Sequence, residues 1–76
     1  MPQTRKPPPV VFGERVRARR LEIGLSQMEL AERAGMHFTY VSSVERGLRN
    51  ISLVNIVRLA EALGVDAGTL VAGMRT

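Results

Sequence analysis

The chain has 76 residues, no cysteine, one histidine (His37) and one aspartate (Asp66), which leaves room for a single small domain. It offers no disulfide staple, no thiolate metal site and no clustered acid–base pair, so an enzyme, a metal and a cofactor are all disfavoured. The net charge is +4 and ten of the eleven basic residues are arginine, which points to a polyanion, nucleic acid or an anionic membrane surface, although basic balance also serves solubility.

Residues 1–9 carry all four prolines together with Arg5 and Lys6, and they read as a flexible Pro-rich basic arm ahead of a domain spanning 10–76. Such an arm is either a solvated tail or a segment that reaches into a DNA minor groove. It contains no apolar core of the kind a secretory signal needs, and no apolar run in the chain approaches the roughly 20 residues that span a bilayer. With the lack of cysteine, a cytoplasmic protein is expected.

From Val10 the pattern becomes helical, with Phe12, Val16, Arg19, Arg20 and Ile23 recurring at helical spacing until Gly24. "SQME", residues 26–29, is a capping box that opens a second helix, in which Leu30 and Ala34 face inward before Gly35 stops it. A third helix beginning near His37 or Phe38 places Val41 and Val44 inward and runs to Gly47. Ser52 caps a fourth, whose apolar stripe is Leu53, Ile56, Val57, Ala60 and Leu63, ended by Gly64. Asp66 caps a short fifth, "AGTLVAGM", weakened by Gly68 and Gly73. No segment alternates long enough to be a strand, so the fold class is all-α, a compact bundle of five short helices.

Helices two and three are separated by a very short turn around Gly35, the spacing of a helix-turn-helix. Ala31 is small enough for close approach, Gly35 tolerates positive φ, and Val41 and Val44 anchor helix three. A helix held this way exposes its N-terminal turns, which fit a major groove about 12 Å wide. The same features would also serve a plain helical bundle; their concurrence on a basic chain favours DNA.

"GLSQMELAERAGMHFTYVSSVERGLRNISLVNIVRLAEALGV" resembles the Cro/C1-type (XRE-type) helix-turn-helix family of bacterial and phage regulators, over residues 12 to about 72. "TYVSSVERGLRNISLVNI" is similar to the controller proteins of restriction–modification systems within that family. The resemblance implies a lambda-repressor-like fold and a sequence-specific regulator of double-stranded DNA, with RNA polymerase as a further partner it allows.

It also implies roles. Gln27, at the start of helix two, contacts a phosphate, where helix N–H groups favour anions; the plain alternative is an exposed first-turn glutamine. Thr39, Ser42 and Ser43 are candidates for base edges, since short hydroxyls donate or accept. At Phe38 the controller-like pattern often has arginine or another polar residue, so phenylalanine either touches a thymine methyl or folds back onto the domain. Tyr40 and Asn50 are implied phosphate contacts, and Arg49 a base or phosphate contact. Arg46 serves the backbone or the helix C-terminus. Glu45 is expected to pair with Arg20 and not to face DNA, and His37 reads as a helix-start residue, not a ligand.

Val54, Leu59, Leu70, Val71 and Met74 are left over by these stripes and suggest a dimer interface, unless they complete the monomer core. A twofold dimer places two recognition helices about 34 Å apart, matching a roughly palindromic operator. Two rivals stand beside this expectation. An antitoxin-like protein-interaction module would use the same fold but favour a partner-binding segment beyond the domain. A membrane-surface peptide is disfavoured by the closed core.

Overall fold

Each helix boundary has a local cause in the sequence. The computed structural model describes residues 6–76, with helices α1 (Pro8–Glu22), α2 (Gln27–Ala34), α3 (Phe38–Glu45), α4 (Leu53–Leu63) and α5 (Ala67–Val71) and no strand among the described residues. α1 begins at Pro8, not at Val10, which moves two prolines from the expected arm into the helix. Proline is accommodated there because first-turn N–H groups have no intrahelical acceptor and its φ already suits a helix. Val10 and Val11 then donate to the Pro7 carbonyl at 3.0 and 3.2 Å. Residues 1–5 of the expected arm, including Arg5, lie outside the described residues, while Lys6 pairs with Glu14 at 2.7 Å.

α2 carries the complete capping box: Ser26 Oγ accepts from the Glu29 N–H at 3.0 Å, and Glu29 Oε1 accepts from the Ser26 N–H at 2.8 Å. Gly35 ends it at φ 67°, ψ 37°, in the left-handed region that costs glycine nothing. Ser52 caps α4 by accepting from the Asn55 N–H at 3.2 Å. At α5 the expectation fails in two respects. Asp66 makes no side-chain cap, and the helix stops at Val71, short of Met74. Two glycines in so short a segment leave too few intrahelical bonds to propagate further.

The core joins Phe12 and Val16 of α1, Leu30 and Ala31 of α2, Val41 and Val44 of α3, Leu59, Ala60 and Leu63 of α4, and Leu70 of α5. The stripe on α4 is rotated from the expected one. Ile56, Leu59, Ala60 and Leu63 form its inner face, and Leu59 is fully buried. With that face inward, Leu53, Val54 and Val57 turn outward, with Leu53 75% and Val54 61% exposed. Leu59 and Leu70 therefore belong to the monomer core and are unavailable to a partner, because α1, α2 and α5 pack on α4, and α1 and α4 pack on α5.

Gly13 fixes the spacing of α1 and α3. A Cβ there would collide with the Val44 carbonyl oxygen and come within 2.9 Å of the Glu45 carbonyl oxygen, so only hydrogen fits. Arg19 and Arg15 of α1 meanwhile donate to the Leu63 carbonyl at 2.9 Å and the Leu70 carbonyl at 3.3 Å, closing the ends of α4 and α5. α1 thus serves as the strut against which the helix pair α2–α3 is set.

Candidate nucleic-acid interface

The α2–α3 pair is locked from below by a buried charge cluster. Glu45, at the end of α3, takes a bidentate guanidinium from Arg20 of α1, Nε to Oε2 at 2.6 Å and Nη2 to Oε1 at 2.9 Å, and the two side chains are 9% and 2% exposed. Arg20 also donates Nη1 to the Leu25 carbonyl at 2.8 Å, and Gln27 Nε2 donates to Glu45 Oε1 at 3.1 Å. The hydrogen bond to Glu45 holds the Arg20 pKa above its ordinary value against the opposing effect of burial. One carboxylate therefore ties together α1, the first turn of α2 and the end of α3. Charge on the carboxylate is spent internally, so it does not repel a polyanion approaching α3.

His37 is the N-cap of α3. Its Nδ1 accepts from the Thr39 N–H at 3.3 Å and lies 2.8 Å from Thr39 Oγ1. A nitrogen that accepts from an amide carries a lone pair, so the ring proton of neutral His37 is assigned to Nε2. Thr39 Oγ1–H then donates to Nδ1, which leaves the threonine oxygen free to accept from outside. The His37 ring stacks on Phe38, with centroids 5.7 Å apart and planes 24° from parallel. Phe38 is held beside the cap and exposed; it does not fold back into the core.

Along the outer side of α3, Thr39 and Arg46 are exposed and Ser42 is half-buried; Arg49 and Asn50 are exposed in the loop that follows. Ser43 departs from its expected place at a base edge. It is only 7% exposed, because the loop after α3 brings Arg49 over it. Its hydroxyl donates to the Tyr40 carbonyl at 2.8 Å and accepts from Arg49 Nε at 3.0 Å. The Arg49 guanidinium carbon sits 5.4 Å from the centroid of the Tyr40 ring, within cation–π range. Tyr40 is itself braced from α4, where Asn55 Nδ2 donates to its phenol oxygen at 3.2 Å. The phenol O–H remains to donate outward.

Asn55 is not among the residues expected at the site; no sequence period links it to Tyr40, fifteen residues away, and only the folded chain brings them together. Of the expected dimer residues, Val54 and Val71 are exposed and Met74 is half-buried against the core, whereas Leu59 and Leu70 are interior. Leu53 and Val57 extend the exposed apolar face of α4. No helix among the described residues is long and apolar enough to cross a membrane.

Two short helices about a glycine turn, set on a five-helix bundle with the second helix's polar side outward, define a lambda-repressor-like helix-turn-helix protein. Residues 16–70 match the Helix-turn-helix family, and the chain belongs to it as an XRE-type transcriptional regulator. It is 47% identical over 58 residues to the control protein C.BamHI of Bacillus amyloliquefaciens, covering 75% of this chain and 72% of that protein. The crystal structure of the restriction–modification controller protein C.AhdI from Aeromonas hydrophila superposes with a TM-score of 0.80 at 50% identity, covering 82% of this chain and 94% of that one. SinR, described as the master regulator for biofilm formation and solved in complex with DNA, superposes with a TM-score of 0.74 at 40% identity, covering 78% of this chain and 95% of that one.

Proposed function

We propose that the protein binds double-stranded DNA sequence-specifically as a homodimer on a roughly palindromic operator, as a controller-like regulator in the cytoplasm. The carrying observation is the presentation of α3: its acid is buried with Arg20, and Phe38, Thr39, Arg46 and Arg49 are exposed around one polar side. In this reading Phe38, Thr39, Ser42 and Arg49 meet base edges, and Gln27, Tyr40, Arg46 and Asn50 meet phosphates. Ser43 makes no base contact. The outward apolar residues of α4 and α5, Leu53, Val54, Val57 and Val71, supply the self-association surface. A regulator seated beside a promoter meets RNA polymerase there, as obstacle or as contact.

Selection of bound duplexes from a random pool tests the reading. Enriched sequences should contain an inverted repeat whose half-sites are centred about one helical turn apart, roughly 34 Å. Affinity for them should fall by orders of magnitude between about 50 and 200 mM salt, because several phosphates are neutralised per subunit. A pool that shows no enrichment, with no binding even at low salt, contradicts it.

A further inference from the structure

The molecule pins two arginines in opposite ways. Arg20 is held by a carboxylate, so its charge is neutralised inside the fold. Arg49 is held by a hydroxyl and an aromatic face, neither of which carries charge. Its contacts close a ring: Ser43 Oγ donates to the Tyr40 carbonyl at 2.8 Å, the same oxygen accepts from Arg49 Nε at 3.0 Å, and the guanidinium returns over the Tyr40 ring at 5.4 Å. Asn55, from α4, fixes the far end of that ring by donating to the phenol oxygen at 3.2 Å.

We infer that Ser43 is a positioning residue that holds Arg49 as a preformed, fully charged fork for a pair of acceptors on DNA. The inference rests on the DNA-binding reading above. Among the described residues only Nε of the guanidinium is engaged, which leaves both η-nitrogens for two parallel hydrogen bonds, to guanine O6 and N7 or to two phosphate oxygens. A carboxylate at position 43 would fix the same side chain while cancelling its attraction for DNA. An apolar residue would leave a long, rotamer-rich side chain to be ordered at the moment of binding. A buried neutral hydroxyl avoids both costs.

The test is a double-mutant cycle on the full chain, using a duplex recovered by the wild-type protein from a random pool. Ser43→Ala should weaken binding roughly three- to tenfold, the cost of ordering one long side chain. In an Arg49→Ala background the same change should have no further effect. In the free protein, the Arg49 Nε–H should exchange slowly with solvent, and quickly in Ser43→Ala, while thermal unfolding stays within a few degrees. Repeating the selection with Arg49→Ala separates the two acceptor sources: lost preference at one base pair means guanine, and uniform weakening means phosphate. Equal losses in both backgrounds, no loss in either, or an exchange rate indifferent to Ser43 would overturn the positioning role. If Arg49→Ala alone binds as tightly as wild type, the contact itself is absent and the inference falls with that part of the DNA reading, while the rest of the interface stands.

Discussion

At the scale of single residues, the buried Glu45 carries the greatest structural weight, since it accepts from both Arg20 and Gln27. Removing it strands a guanidinium that is buried at its charged end. Glu45→Ala should cost roughly 3–5 kcal/mol in urea denaturation, whereas replacing Arg20 and Glu45 together by well-packed apolar residues should cost much less. Thr39 presents the opposite case. Among the described residues its side chain hydrogen-bonds to the His37 cap and is exposed, so Thr39→Ala should leave the unfolding free energy within about 1 kcal/mol of wild type. Its effect should appear in sequence selection, as relaxed preference at one operator position. A Thr39→Ala protein that enriches the same sequences with unchanged stringency would remove that residue from the reading surface.

At the scale of elements, the pH behaviour of α2 follows from its cap. The hydrogen bonds between Glu29 and Ser26 hold the Glu29 carboxyl below its ordinary value of 4.5. A carboxylate with a depressed folded value contributes its full stabilisation above the unfolded value, and loses it as pH falls through the folded one. The melting-temperature gap between wild type and Glu29→Gln should thus be open at neutral pH and close progressively below 4.5. Glycine at 13 is a second element-level constraint. Gly13→Ala should destabilise by about 1–3 kcal/mol or more, because the obstruction is backbone carbonyl and cannot rotate aside.

The helices themselves were legible from caps, glycine stops and apolar spacing, and so was the α2–α3 turn. The rotation of α4 was not. Ile56, Leu59, Ala60 and Leu63 and the rejected stripe through Leu53 and Val57 are both apolar at helical spacing, and only the position of α1 and α2 decides which is inward. Ser43 was misplaced for a related reason: it lies near Thr39 on the helical wheel, and what covers it is a side chain from the following loop. Local periodicity carries no information about such long-range cover. The prolines at 8 and 9 belong by composition to the arm, yet they stand in the first turn of α1, where proline is tolerated.

At the scale of the whole molecule, the apolar face of α4 and the polar face of α3 are joined through Asn55 and Tyr40. The proposed self-association and DNA binding are expected to be linked, because a dimer would hold two half-sites at once. Val54→Glu, on a side chain that is 61% exposed, should leave the monomer folded but shift sedimentation equilibrium toward monomer. It should also lower affinity for a two-half-site duplex much more than for a single half-site. If Val54→Glu sediments as wild type, the association surface lies elsewhere.

The tight seat of residue 13 has an outcome for anyone mapping function by exhaustive substitution. Scored on operator occupancy, that site should be as intolerant as the side chains proposed to meet the duplex, because a side chain there runs into the Val44 and Glu45 carbonyls. Only a parallel score for folded abundance will sort it from them.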